Sequence, residues 1–148
     1  AIDFAPPGDE YGCYDTNTWE VAVADGVIVR SENGEVVLDL DGDGLEQTGW
    51  TVLYMHVASF QRIALGTQVK AGDRIGHPSC EGGISNGTHL HLARRYNGVW
   101  IAADGNLPFV LDGWVSSGDG NEYDGTLTRD GQTVTAWDGR VAENQIGR

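Results

Sequence analysis

Asn or Asp followed by Gly recurs between short β-branched runs, at Asp25-Gly26, Asn33-Gly34, Asn97-Gly98 and Asp130-Gly131. Such a pair supplies the positive-φ positions of a tight turn, so each predicts that its flanking runs lie antiparallel. No convincing stretch spaces apolar residues at i, i+3, i+4 and i+7, as an amphipathic helix requires. With 22 glycines among 148 residues, the chain is expected to be all-β, built of short strands and frequent turns. The length suits a domain with its own core. No apolar run approaches the roughly 18 residues of a membrane span. Twenty-two acidic residues against nine basic ones give a formal charge of −13. That argues against a nucleic-acid partner, whose phosphates call for Lys- and Arg-rich surface. The acidity suits solubility and, equally, attraction of cationic substrates.

In chain order, Ile2 and Phe4 flank Asp3 in a short strand that ends at Pro6-Pro7, so Asp3 faces opposite to them. Residues 8–18 form a polar loop carrying Cys13. Residues 19–23 and 27–29 read as a hairpin about Asp25-Gly26, and Asn33-Gly34 turns the chain into Val36-Val37-Leu38. Asp39, Asp41 and Asp43 then alternate ahead of Gly44, as in the first half of a calcium loop. The twelfth position is Trp50 rather than Glu, which excludes a complete EF-hand; a partial calcium site and an Asp/Gly turn both remain open. Residues 50–57 read as a strand in which His56 shares a face with Val52 and Tyr54. A turn at Ala71-Gly72 leads to a short strand and to a loop from His77 to Gly83 that holds Cys80.

The run Gly87-Thr88-His89-Leu90-His91-Leu92 follows. In a strand His89 and His91 share one face, while Leu90 and Leu92 point into packing on the other. Two imidazoles so placed can make half of a metal site, or one ligand and one base. Two surface histidines on an exposed strand would read the same way. Asn97-Gly98 returns the chain through residues 99–101. Beyond Asp104, residues 108–114 read as a connector, residues 116–121 as a polar loop, and residues 126–128 and 133–135 as a last hairpin. That tail is expected to pack on the main sheet, since a hairpin alone lacks a core.

Five motifs, Ile-Asp-Phe-Ala-Pro at Asp3, Ala24-Asp25-Gly26-Val27-Ile28, Leu53-Tyr54-Met55-His56, the run from Val69 to Gly76, and Gly87-Thr88-His89-Leu90-His91, stand in an order and spacing that resembles the M23 metallopeptidases. These are the lysostaphin-like or LytM-type zinc endopeptidases of bacterial cell walls. The resemblance spans roughly residues 1–101 and implies an antiparallel sheet with a second small sheet forming a groove. It implies zinc ligands at Asp3 and His91 and a catalytic pair at His56 and His89. Zinc with three protein ligands keeps a position open for water, and a neutral imidazole can take that water's proton. The family's third ligand, a histidine often four residues before the Asp, would fall ahead of Ala1. His77 is the one histidine left over, and both a ligand role and a plain loop role before Pro78 are open to it. A chain starting at Ala rather than Met is expected to be a processed product or a fragment.

The resemblance also implies a peptidoglycan stem or cross-bridge peptide as substrate, a monomer, and an extracellular or cell-envelope location. There a Cys13–Cys80 disulfide is expected: the chain has just two cysteines, and by the resemblance both loops rim the groove. The expected organisation is an M23-like core over residues 1–105 and a C-terminal β extension, residues 106–148, packed on it. The alternative activity is a catalytically degenerate module that binds cell wall or regulates another hydrolase. Asp3, His56, His89 and His91 occurring together favour the enzyme.

Overall fold

The computed structural model describes residues 1–121, 123–136 and 144–147. Every regular element among them is a strand except for one 3₁₀ position at Asn144, and no described helix is long and apolar enough to cross a membrane. The chain divides into two compact units, one of Ala1–Pro6 and Glu10–Ile101, the other of Pro7–Asp9 and Ala102–Arg148.

The first unit is built on an antiparallel sheet. Its strands are β1 (Ile2–Phe4), β3 (Gly26–Glu32), β4 (Glu35–Asp39), β5 (Trp50–Met55), β6 (Gln68–Val69), β8 (Leu90–Tyr96) and β9 (Val99–Ile101). The order is β1-β8-β5-β4-β3-β6, with β9 also on β8. β5 occupies one edge of β8, and β1 and β9 share the other, β1 along residues 90–92 and β9 along residues 94–96. A second, two-stranded sheet joins β2 (Glu20–Val21) to β7 (Arg74–Gly76).

Register assigns the two faces of the large sheet. Val36, Tyr54 and Leu92 lie opposite one another in a row with Ile2, and Leu38 lies opposite Val52. These side chains, with Ile28, are almost wholly buried apart from Ile2. Each removes roughly 1.5–3 kcal/mol worth of apolar surface from water. The Tyr54 hydroxyl accepts the Val23 N–H at 2.8 Å, which brings the segment after β2 over this face. The row Glu35, Met55, His91 and Asp3 lies on the other face. Arg30 joins Glu35 at 2.6 Å and donates from Nε to Glu46 at 2.7 Å, tying the loop after β4 to this second face.

The hairpins at Asn33-Gly34 and Asn97-Gly98 form as expected, with positive φ at all four residues. The one expected at Asp25-Gly26 does not: β2 pairs with β7, and β3 pairs with β4 and β6. The Asp25 carboxylate accepts the Ala71 N–H at 2.9 Å and meets Lys70 Nζ at 2.7 Å, which draws the segment toward the Ala71-Gly72 turn. Gly26 serves close packing, because a Cβ there would run into the Asp39 carbonyl.

The second unit carries a four-stranded antiparallel sheet, β10 (Val110–Leu111), β11 (Trp114–Ser117), β12 (Thr126–Arg129) and β13 (Gln132–Thr135). The expected hairpin at Asp130-Gly131 joins β12 to β13. Two expectations give way. Residues 108–114 are no mere connector but fold into β10, a turn at Asp112-Gly113 and the start of β11, and Ser116 and Ser117 belong to β11 rather than to a loop. Trp114 and Ser116 alternate inward along β11, and Ser116 Oγ accepts the Phe109 N–H at 2.9 Å.

Candidate metal centre

Register places the acidic and imidazole groups together. Asp3 is the cross-strand partner of His91, which is in turn the partner of Met55. Residues directly opposite on neighbouring strands share a face, and His89 lies two residues before His91. His91 Nδ1 faces Asp3 Oδ1 at 2.8 Å, and His89 Nε2 lies 3.9 Å from Asp3 Oδ2. One donor atom from each of Asp3, His89 and His91 falls within 4.8 Å of the others.

His56 reaches this cluster by a route that strand alternation does not provide. In a continued strand it would follow Val52 and Tyr54 to the apolar face. Instead β5 ends at Met55, and His56 adopts a left-handed backbone with φ 67°. That conformation costs a non-glycine residue roughly 1–2 kcal/mol and turns the side chain out of the strand's alternation. Its ring lies 4.5 Å from that of His89, centroid to centroid, and 6.4 Å from that of His91. The expectation that His56 shares a face with Val52 and Tyr54 is therefore corrected by the chain reversal at its own residue.

Hydrogen bonds assign the imidazole protons. His56 Nδ1 donates to the Glu81 carbonyl at 3.0 Å, and His89 Nδ1 donates to the Gly87 carbonyl at 2.8 Å. Each ring thus keeps its Nε2 lone pair unused by these bonds. Burial is the main cause that holds the His56 imidazole below its usual range, against the Glu81 carbonyl, which favours the charged form. Burial alone would raise the Asp3 carboxyl, but the His91 hydrogen bond and the three nearby imidazoles outweigh it and hold the group below the usual carboxylate range. A carboxylate oxygen and imidazole nitrogens are the donor set of catalytic zinc sites, so these residues fit that ion.

His77 is placed elsewhere. It is buried, its Nδ1 donates to the Thr18 carbonyl at 2.8 Å, its Nε2 meets Gln61 Oε1 at 3.1 Å, and its ring packs 3.9 Å from that of Trp19. It is a packing residue. Cys13 and Cys80 form a disulfide, with Cα atoms 5.8 Å apart.

The Asp39, Asp41 and Asp43 carboxylates also approach within 4.8 Å of one another. Asp39 accepts the amides of Asp41 and Gly44 at 3.2 and 2.8 Å, Asp41 that of Asp43 at 3.3 Å, and Asp43 that of Leu45 at 2.8 Å. These bonds are those of an Asp-rich turn. No sequence motif marks Ser79, Glu81 or Ser85, although Ser79 and Glu81 bond directly to His56. The carbonyls that orient His56 and His89, those of Glu81 and Gly87, are backbone groups, which residue identity does not reveal.

Residues 14–103 match the family described as Peptidase family M23. Protease LasA of Pseudomonas aeruginosa is 29% identical over 99 residues, covering 62% of this chain and 23% of that protein, so the chain spans about a quarter of that curated relative's length. Among solved structures, a deep-sea M23 metalloprotease, pseudoalterin, superposes with a TM-score of 0.64 at 23% identity, over 85% of this chain and 74% of that one. A mutant catalytic domain of EnpA, a prophage-encoded M23 protein of Enterococcus faecalis, gives a TM-score of 0.51 at 26% identity, over 71% and 75%. With the family match running through β2 to β9 and both histidines of the His-x-His strand, the chain belongs to peptidase family M23.

Proposed function

We propose that this chain is the catalytic part of a zinc endopeptidase that cleaves peptidoglycan stem or cross-bridge peptides outside the cytoplasm. The observation that carries the reading is one sheet face on which Asp3, His89 and His91 bring donor atoms within 4.8 Å, with the His56 ring beside that of His89. Asp3 and His91 would hold the ion, and a histidine four residues ahead of Asp3 would complete the set, the even spacing putting it on the same strand face. When bound, zinc supplies Lewis acidity toward the scissile carbonyl and toward water.

The remaining work falls to the imidazoles. With its proton held at Nδ1 by the Gly87 carbonyl, neutral His89 offers a bare Nε2 to take a proton from the attacking water. His56 is held in the same tautomer by the Glu81 carbonyl, so it too meets that water as an acceptor. Only after gaining a proton can either ring donate to the oxyanion or to the leaving amine. The Cys13–Cys80 disulfide supports an oxidising compartment.

The test compares the chain with a version extended to supply the upstream histidine. Zinc content is measured alongside hydrolysis of peptidoglycan and of a glycine-rich peptide. Strong zinc uptake and cleavage are expected in the extended chain, weak uptake and little cleavage in the shorter one. His89→Ala should abolish cleavage and leave zinc in place. An extended chain that takes up zinc but cleaves nothing would make this a binding or regulatory module. A fully loaded and active shorter chain would mean that Asp3, His89 and His91 suffice as ligands.

A further inference from the structure

We propose that Ser79-Cys80-Glu81 is a positioning strap that joins the two reacting histidines, fixes the tautomer of His56, and is anchored at its midpoint by the Cys13–Cys80 disulfide. The inference rests on the reading of His56 and His89 as the reacting pair.

Both ends of the strap bind His56. Ser79 N–H and Ser79 Oγ each donate to the His56 carbonyl at 2.7 Å, while the Glu81 carbonyl accepts His56 Nδ1–H at 3.0 Å. On its other side the Ser79 carbonyl accepts the His89 N–H at 3.3 Å. The left-handed backbone of His56 is therefore gripped at its own carbonyl and at its own ring by residues two apart. A strained φ persists where the surroundings over-determine it, and here one short segment does so. The tautomer follows from the same contact, because the partner at one imidazole nitrogen decides where the proton sits.

The strap is itself braced from several directions. Glu81 N–H donates to Ser79 Oγ at 2.9 Å, and Glu81 Oε1 accepts the Ser59 amide at 2.8 Å and the Ser59 hydroxyl at 3.0 Å. The turn between β3 and β4 presses on it: a Cβ at Gly34 would stand 2.5 Å from the Glu81 carbonyl oxygen. Through the disulfide the strap reaches the start of the His-x-His strand. Around Cys13, the Gly12 carbonyl accepts the Thr88 N–H at 2.9 Å, and Tyr14 exchanges two hydrogen bonds with the Thr88 hydroxyl at 2.9 and 2.8 Å. Thr88 precedes His89. The disulfide so closes a ring that runs from His56 through the strap to His89.

The experiment reads ring tautomers directly, by nitrogen-15 spectra of the histidine side chains in the full chain before zinc is added. At about pH 8.5, above the ordinary imidazole range, His56 should appear as a single Nδ1–H form. Glu81→Ala removes the anchor on Ser59 and should leave His56 a mixture of tautomers. Glu81→Gln keeps an acceptor oxygen and should restore the single form. Reduction of the disulfide in the unaltered chain should act in the same direction as Glu81→Ala. His77, held by Thr18 and Gln61, should not change and so reports that the variants are folded. In the zinc-loaded, extended protein Glu81→Ala should lower kcat roughly tenfold with little change in KM, as expected for a misplaced reacting group. Loss of the His56 signature in Glu81→Ala and its return in Glu81→Gln support the strap even if no variant cleaves peptide, a result that would count against the proposed reaction alone. A His56 signal unchanged by both Glu81→Ala and disulfide reduction overturns the strap.

Discussion

Two clusters in the first unit each bring three candidate donor atoms within 4.8 Å of one another, and they differ in what those atoms already hold. At Asp39, Asp41 and Asp43 the oxygens accept amides of their own loop. The Asp43 amide favours the charged form of Asp41, yet the neighbouring Asp39 and Asp43 carboxylates prevail and raise the group above its usual range. At Asp3, His89 and His91 the carboxylate and imidazoles face one another instead: Asp3 Oδ1 meets His91 Nδ1 at 2.8 Å, and the Gly87 carbonyl takes up Nδ1 of His89 and leaves its Nε2 bare. The lesson is that ligand chemistry needs donor atoms that folding has not tied to the amides of their own loop. A turn consumes its acidic side chains locally, whereas a strand pair holds side chains out from a backbone that is already satisfied.

The largest effect should come from breaking the second cluster. In the extended chain, Asp3→Ala or His91→Ala should abolish zinc uptake and lower peptide hydrolysis by at least about a hundredfold, since three protein ligands are needed. Metal analysis and a cleavage assay check this; full zinc occupancy in both variants would put the centre elsewhere.

Glu20 sharpens the contrast, as a carboxyl with neither imidazoles nor amides. It is buried, neither oxygen has a hydrogen-bond partner among the described residues, and burial pushes it from an ordinary 4.5 up to about 8. The folded protein therefore holds a proton that the unfolded chain releases. The stability this contributes is complete below pH 4.5 and is lost as pH rises through about 8. The loss should be on the order of 4 kcal/mol. Denaturant melts of Glu20→Gln at several pH values should lack that slope; an unchanged slope would place its source in other groups.

A smaller effect is expected at Asp39, which is fully buried and accepts two loop amides. Asp39→Ala should cost about 2–3 kcal/mol by leaving them without an acceptor, with zinc content unchanged. Exposed Asp41 should matter least to stability, and the Asp41→Ala variant serves a different question. Calorimetry with calcium on the parent and on this variant tells whether the acidic loop takes an ion as well as its own amides. Heat in the parent that Asp41→Ala removes would narrow the difference between the two clusters, and no heat in either would widen it.

Much of the centre was legible before any fold was known. Period-two alternation placed His89 and His91 on one face and turned Asp3 away from Ile2 and Phe4, because side-chain direction in a strand is a local property. Asn33-Gly34, Asn97-Gly98 and Asp130-Gly131 announced their turns for the same reason: left-handed φ is a preference of the residues themselves. The lone pair of cysteines left one possible intramolecular bridge.

What local pattern could not carry was decided by contacts distant in sequence. Asp25-Gly26 has the letters of a hairpin, yet its carboxylate is claimed by Ala71 and Lys70, and β2 finds its partner in β7. His56 has the parity of the apolar face, and it reaches the histidine cluster because Ser79 and Glu81 grip it in a left-handed turn. The alternation of residues determined which side chains could meet. Which of them did, and with which nitrogen exposed, was set by backbone carbonyls and amides brought in from elsewhere in the chain, groups that every residue carries and no sequence pattern distinguishes.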